Sequence, residues 1–149
     1  MRIIIAATCI ALAAGCEVHV DSEVEVEYLN TPEMEAQGFP FSQAVRVNNL
    51  LFLSGDIGWD PATGELVAGG IQAETRQTLE NIKSTLETFG SSMDKVVKCT
   101  VFLADMAEWG AMNEVYKEYL PNRPARSALG TSGLALDART EIECIAVME

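Results

Sequence analysis

The segment PNRPARSALGTSGLALDARTEIECIAVM, residues 121–148, decides how the rest of the chain is interpreted. Pro121 and Pro124 predict a rigid turn that leads into Arg126, and the alternation that begins near residue 140 predicts a closing strand that carries Glu141. A guanidinium is a planar fork of donors suited to bidentate binding of a carboxylate. If the strand returns toward the turn, Glu141 approaches Arg126. We therefore predict a site in which Arg126 binds a substrate carboxylate and Glu141 activates a water molecule.

Working outward, hydrophobic periodicity predicts the element order β-β-β-α-β-α-β. A helix of nearly twenty residues begins at Gly69-Gly70, and a second begins at a capping Asp105 and buries one face. That buried face consists of Trp109, Met112, Tyr116 and Tyr119. The predicted strands are residues 23–28, 42–47, 50–54, 96–103 and 140–148. The pattern does not decide whether residues 128–134 form a further short strand. Residues 30–40 are predicted to form a loop. The fold class is α+β, one sheet with two helices on one face.

Charge and composition exclude several classes of function. The chain has 149 residues, enough for one domain with a real core, and its net charge is −12. Binding to nucleic acid or to anionic lipid requires clusters of Lys and Arg, so neither is expected as a partner. The single histidine, His19, leaves no His/Cys cluster for a metal, and no metal site is predicted.

The N-terminus is typical of an exported lipoprotein. The apolar run at residues 3–14 is too short to span a bilayer and suits a signal peptide. It ends in LAAGC, which resembles the lipobox of bacterial lipoproteins, in which the cysteine is lipidated. We expect a signal peptide at 1–15, a tether and first strand at 16–27 with Cys16 lipidated, and a domain at 28–149. The mature protein would lie on the periplasmic side, touching the membrane only through its lipid; the alternative is an ordinary buried strand.

Cys99 and Cys144 both lie in predicted strands. A disulfide between them would require an oxidising compartment and Cα atoms roughly 5.5 Å apart. Two buried free thiols that pack as small hydrophobic side chains are the favoured interpretation.

Five segments carry a resemblance to a known family: SGDIGWDPATGEL, QTLENIKSTLETFG, VVKCTVFLADM, RPARS and EIECIAV. They resemble the reactive-intermediate deaminases of the RidA/YjgF type, also called endoribonuclease L-PSP proteins, over residues 40–148. The resemblance implies a chorismate-mutase-like α+β sandwich. It also implies a homotrimer with its sheets inward and sites in the clefts between subunits.

The resemblance also implies roles for individual residues. Arg126 binds the carboxylate of the substrate, Glu141 positions or activates water, and Ser54 and Gly55 line the pocket. The implied reaction is hydrolysis of 2-aminoacrylate and related enamines and imines to a 2-keto acid and ammonia, with no cofactor. The partners expected are thus a small imino or keto acid and further copies of the chain.

Three positions depart from the family pattern. Ala128 stands where active members carry cysteine, Phe41 where they carry tyrosine, and Asp56 where glutamine is frequent. Phe41 and Ala128 are still expected to line the substrate pocket, with altered specificity or a reduced rate. The rival interpretation is a catalytically silent member that binds small carboxylates or acts as a chaperone-like interaction protein. A ribonuclease is disfavoured by the net charge, and a serine hydrolase because no base is suggested near Ser127.

Overall fold

A computed structural model describes residues 23–148. The predicted signal peptide and the lipidation site at Cys16 lie outside these residues. The helices are α1 (Pro32–Gln37), α2 (Ile71–Thr88) and α3 (Trp109–Tyr119). The strands are β1 (Val26–Leu29), β2 (Ala44–Val47), β3 (Leu50–Leu53), β4 (Asp56–Ile57), β5 (Trp59–Asp60), β6 (Glu65–Leu66), β7 (Val96–Leu103), β8 (Ala125–Gly130) and β9 (Thr140–Val147).

One mixed sheet carries the fold. Its order is β1-β2-β3-β9-β7-β8, and the short β4 also pairs with β9. Only the β7–β8 pair is parallel among the strands described; the other pairs are antiparallel. The helices α2 and α3 pack together, and α2 contacts β9. The predicted α+β class, with two long helices on one sheet, is confirmed.

The core follows the predicted periodicities. Leu79, Ile82 and Leu86 of α2 are completely buried, and α2 gives way to Gly90 in the left-handed conformation (φ 82°). Along β9, Ile142 and Ala146 are buried while Glu141 and Glu143 face the other way. The Asn48-Asn49 turn also forms the predicted β2–β3 hairpin, with Asn48 at φ 52°.

The start of α3 differs from the prediction. Asp105 does accept a hydrogen bond from the backbone N–H of Ala107 (2.8 Å), but it caps a single 3-10 turn that precedes α3. Met112, Val115 and Tyr116 form the buried face of the helix. Trp109 is 44% exposed, so its predicted burial is wrong. Trp109 is the first residue of α3, at the end of the packed face, and Val115 contributes to the core instead.

The helix α1 lies inside the predicted loop at residues 30–40. Thr31 caps it by accepting from the N–H of Met34, Pro32 occupies its first turn, and Gly38 ends it at φ 68°. These are ordinary helix start and stop signals. Six residues are too few to establish a hydrophobic period, so periodicity does not indicate this helix. Strand β1 precedes this helix and pairs with β2. Because β1 spans Val26–Leu29, it contains residues on both sides of the predicted domain boundary between 27 and 28.

The predicted turn at Pro121 and Pro124 leads into Arg126, with Arg123 at φ 55°. The short strand that the sequence left open at 128–134 is β8, which begins earlier, at Ala125, ends at Gly130 and includes Arg126. The hydrogen-bonding partner of β8 is β7, more than twenty residues earlier in the chain. Parallel pairing of this kind leaves no local signal in the sequence.

Cys99 and Cys144 form a disulfide, which contradicts the favoured prediction of two free thiols. The antiparallel register of β7 and β9 places the two residues directly opposite each other, with their Cα atoms 4.1 Å apart. Both side chains are buried on the face that the helices cover. Periodicity assigned each cysteine to a strand correctly, but only the register brings them together.

Candidate functional site

Arg126 is held from one side by helix α3. Its Nη1 donates to Oδ1 of Asn113 at 2.6 Å, and its guanidinium carbon lies 4.7 Å from the centre of the Tyr116 ring. Asn113 and Tyr116 are three residues apart on α3 and therefore share one face of it. An amide acceptor and an aromatic face together fix the plane of the guanidinium. Neither role is visible in the sequence, because the position of Tyr116 indicates only a core residue and that of Asn113 only the helix surface.

The guanidinium of Arg126 makes no ion pair within residues 23–148. By contrast, Arg46, Arg76 and Arg139 pair with Glu27, Glu118 and Glu74 at 3.1, 3.0 and 3.8 Å. Arg126 is half-buried, and Asn113 is the one hydrogen-bond acceptor of its guanidinium found among residues 23–148. A fixed guanidinium without a protein carboxylate is suited to binding the carboxylate of a ligand.

Glu141 lies on β9, against the turn that follows β3. A Cβ built on Gly55 would lie 2.1 Å from Oε1 of Glu141, so the carboxylate fills the space that only glycine leaves open. Burial raises the pKa of Glu141, and the negative charge of Glu143 raises it further. A carboxylate with a raised pKa is a stronger base and exchanges protons closer to neutral pH. This arrangement suits a general acid/base.

In the turn that follows β3, Ser54 forms hydrogen bonds and Gly55 leaves space for the Glu141 carboxylate. The hydroxyl of Ser54 donates to the backbone carbonyl of Ser42 at 2.7 Å, and the Ser54 N–H donates to the carbonyl of Gln43 at 3.0 Å. Ser54 therefore ties the segment that carries Phe41 to the turn that carries Gly55. Gly55 is the residue of this pair that lies directly against Glu141.

Within one chain, Arg126 and Glu141 lie on opposite faces of the sheet. Arg126 is paired with Cys99, whereas Glu141 is paired with Phe102, three residues further along β7. Since successive side chains alternate between faces, an odd separation places them on opposite sides. Arg126 shares the helix-covered face with Ala128, which packs against the core two residues further on. The return of β9 thus does not bring Glu141 beside Arg126 of the same chain.

Asp56 is a second acid close to this turn. Its Oδ1 accepts from Nδ2 of Asn81 at 3.2 Å, and the same amide nitrogen is 3.1 Å from the carbonyl of Ile57 and 2.8 Å from that of Trp59. Burial raises the pKa of Asp56 to about 6, against the opposing effect of the Asn81 and Ile57 hydrogen bonds; the charge of Glu141 adds to the rise. The backbone of Asp56 pairs with that of Ile142, beside Glu141.

Ser127 has a lysine neighbour that the sequence did not suggest. Nζ of Lys98 lies 2.9 Å from Oγ of Ser127, because the parallel β7–β8 pair sets these residues on the same face. Lys98 is the donor in this contact, so it does not accept the proton of the hydroxyl. The contact does not turn Ser127 into an activated nucleophile.

Within residues 23–148, no group of three or more His, Cys, Asp and Glu side chains is arranged to hold a metal ion. In that same range, no helix has the length and apolar character needed to cross a membrane.

Comparison with known proteins places this architecture in a family. The family model described as endoribonuclease L-PSP matches residues 30–148. A RutC family protein of Pyrococcus horikoshii is 50% identical over 111 residues, which cover 74% of this chain and 88% of that protein. The 2-iminobutanoate/2-iminopropanoate deaminase of Mus musculus is 41% identical over 127 residues, covering 85% and 94%. The crystal structure of E. coli TdcF with bound serine superposes with a TM-score of 0.70 at 36% identity, covering 74% of this chain and 90% of that one.

Proposed function

Because this chain belongs to the endoribonuclease L-PSP family, as the RidA/YjgF resemblance indicated, we propose that it is an enamine/imine deaminase. It hydrolyses reactive intermediates of the 2-aminoacrylate type to a 2-keto acid and ammonia, without a cofactor. The mouse relative is named for the same chemistry on 2-iminobutanoate and 2-iminopropanoate. The observation that carries the proposal is Arg126, a half-buried guanidinium fixed by Asn113 and Tyr116 with no ion pair to any described residue.

The proposed reaction has two stages, addition of water to the imine carbon and loss of ammonia. Arg126 binds the carboxylate of the imino acid and fixes the position of the adjacent imine carbon. Glu141 takes a proton from water as the oxygen adds to that carbon. The imine reacts in its protonated form, so the nitrogen of the adduct is an amine. Glu141 then returns the proton to this nitrogen, the C–N bond breaks with release of ammonia, and the remaining hydroxyl gives its proton to Glu141 as the carbonyl forms. The carbon is already electrophilic, so orientation and one acid/base group are sufficient.

The proposal includes self-association. Arg126 and Glu141 lie on opposite faces of one sheet, so a site that uses both takes them from two subunits. A homotrimer with its sheets inward, as the family resemblance implies, would supply that pairing. It would also cover the half-exposed Phe52, Ile145 and Val147 on the open face. Light scattering on the chain from residue 17 onward tests this, and a monomer would overturn it.

The location is also a proposal. Export and lipidation at Cys16 would place the domain on the periplasmic side of a bacterial membrane. The Cys99–Cys144 disulfide supports this, because disulfides persist in oxidising compartments and are rare in the cytosol. In a bacterial host, the full chain should fractionate with membranes, and the Cys16→Ser variant should not. Equal release of both into the soluble fraction would contradict the lipid anchor.

The alternative is that this chain is a catalytically inactive member of the family, whose function is to bind small carboxylates or partner proteins. Ala128 and Phe41 favour it, because they remove a thiol and a hydroxyl from positions expected to line the pocket. Cleavage of RNA finds no support, since a net charge of −12 repels phosphate.

The test is release of 2-keto acid from freshly generated 2-iminopropanoate, with spontaneous hydrolysis subtracted. Arg126→Ala should lower kcat/KM by roughly 10²-fold or more, because it removes charge-assisted hydrogen bonds. Glu141→Gln should lower kcat by about 10²-fold to 10⁴-fold, the usual contribution of a general acid/base.

Arg46→Ala and Glu27→Gln are matched controls, because these residues form a surface ion pair at 3.1 Å with each other. They should leave the rate unchanged. A wild-type rate equal to the spontaneous rate would favour the silent member. Full activity in Arg126→Ala would remove the carboxylate clamp from the mechanism.

A further inference from the structure

The short strand β4 pairs with β9 at the position of Glu141. The backbone of Ile57 is opposite that of Glu141, and the backbone of Asp56 is opposite that of Ile142. Gly55, just before β4, lies against the Glu141 carboxylate. A pair of strands only two residues long is not stable by itself. Further contacts are therefore needed to hold β4 and Gly55 beside the carboxylate.

Asn81, a residue of helix α2, supplies those contacts. Its Nδ2 lies 3.2 Å from Oδ1 of Asp56, 3.1 Å from the carbonyl oxygen of Ile57 and 2.8 Å from that of Trp59. Carbonyl groups only accept hydrogen bonds, so they fix the nitrogen of the amide toward β4 and β5. Nε2 of Gln77, one turn earlier on α2, donates to the Asn81 oxygen at 2.8 Å. The Asn81 amide is thus held at both of its ends.

Helix α2 also contacts the chain on either side of this pair of strands. A Cβ built on Gly58, which follows β4, would lie 2.7 Å from the Cα of Glu74. Glu74 is 6% exposed, and its Oε2 accepts from the N–H of Arg139 at 2.7 Å. Arg139 comes two residues before Glu141. The helix therefore provides a rigid support for both β4 and the start of β9.

Asn81 and Glu141 lie on opposite sides of the sheet. Asp56 is opposite Ile142, which is completely buried beneath the helices, so the Asp56 side chain and Asn81 are on the helix-covered side. Glu141 faces the open side. Asn81 therefore does not reach a substrate beside Glu141, and it can influence the reaction only through the position of β4.

We propose that Asn81 is a positioning residue for the deamination, because it holds β4 on β9 and thereby keeps Gly55 against the Glu141 carboxylate. The inference rests on the proposed function, since it takes Glu141 as the acid/base group. Without Asn81, β4 can separate from β9, and water can reach the carboxylate from the side that Gly55 now covers.

The proton affinity of Glu141 reports on this contact. Burial raises the pKa of Glu141, and the charge of Glu143 raises it further. If β4 separates, the carboxylate becomes hydrated and its pKa falls. Movement of the Asp56 charge away from Glu141 acts in the same direction, and Glu143 is unaffected because it belongs to β9. A change of stability alone would leave the pKa of Glu141 in the folded protein unchanged.

The experiment combines steady-state kinetics on 2-iminopropanoate with a pH titration of the Glu141 carboxyl carbon by NMR, assigned by its absence in Glu141→Gln. Asn81→Ala should lower kcat by roughly tenfold to 10²-fold, the effect of misplacing a reacting group by about 1 Å. KM should change little, because the Arg126 clamp is intact. The pKa of Glu141 should fall in the same variant.

Two further variants complete the test. Gln77→Ala removes the bond that orients the amide from a half-buried position, so it should fold and show a smaller fall in both kcat and the pKa of Glu141. Asn122→Ala is the matched control. Its side chain is exposed and lies 3.5 Å from the carbonyl oxygen of Asp94, so both quantities should equal those of the wild type.

An unchanged pKa of Glu141 in folded Asn81→Ala would overturn the proposal, as would a rise in KM at unchanged kcat. If Asn81→Ala does not fold, wild-type values of kcat and of this pKa in Gln77→Ala would overturn it. Failure of the proposed function gives a different result. Absence of turnover in the wild type, with a lower pKa of Glu141 in Asn81→Ala, would count against the deaminase activity and support the contact that Asn81 maintains.

Discussion

Replacing Asp56 by asparagine should stabilise the protein at neutral pH and have little effect near pH 4. Burial raises the pKa of Asp56 from its ordinary value of 3.8 to about 6, so the folded state binds the proton more tightly than the unfolded state. The resulting stability is fully present below pH 3.8 and is lost as the pH rises through 6. Above that pH the folded protein carries a half-buried, partly desolvated carboxylate whose charge is more costly than it is in the unfolded chain.

The two pKa values set the magnitude. Their difference is about 2, and each pKa unit corresponds to about 1.4 kcal/mol, so the cost of the charged Asp56 at pH 7.5 is about 3 kcal/mol. Asparagine has nearly the same shape, and its carbonyl oxygen can still accept from Asn81. Asp56→Asn should therefore raise the free energy of unfolding by up to about 3 kcal/mol at pH 7.5.

Urea unfolding at pH 4 and pH 7.5 measures this difference, with the disulfide intact and the protein concentration fixed. Asp94→Asn is a control of opposite sign. The hydroxyl of Ser92 donates to the exposed Asp94 and lowers its pKa, so this substitution should lose stability at pH 7.5 relative to pH 4. Equal effects of Asp56→Asn at the two pH values, or destabilisation at pH 7.5, would refute a raised pKa for the half-buried Asp56.

Two further predictions concern the turn and the disulfide. Gly55→Ala should abolish imine hydrolysis while the fold persists, because the new Cβ would lie 2.1 Å from Oε1 of Glu141 and must displace the carboxylate; normal activity would show that Glu141 can work from another position. The double variant Cys99→Ala/Cys144→Ala should lose about 4 kcal/mol of stability in urea unfolding, because the bridge closes a loop with a sequence separation of 45. Unfolding at the same urea concentration as the wild type would mean that the bridge contributes nothing to stability.

At the candidate site, the sequence identifies the charged residues but not the neighbours that position them. Arg126 and Glu141 were selected by residue chemistry and by resemblance, and the structure adds what positions them. Asn113 and Tyr116 lie on the helix between β7 and β8, and they meet Arg126 only because β8 returns parallel to β7. The Lys98–Ser127 contact has the same origin. None of these pairs has a spacing that indicates contact, since the residues lie 10 to 29 positions apart.

The sequence by itself determined the class of the fold and most of its elements. A period of 3.6 residues marked α2, alternation marked β9, and Asn48-Asn49 marked the hairpin, because local backbone preferences and the burial of one face act over a few residues. The strand register was decided only by tertiary structure. It set Cys99 opposite Cys144 and placed Arg126 and Glu141 on different faces of the sheet. Register depends on pairing between strands distant in the chain, and a displacement of one residue exchanges the two faces of a strand.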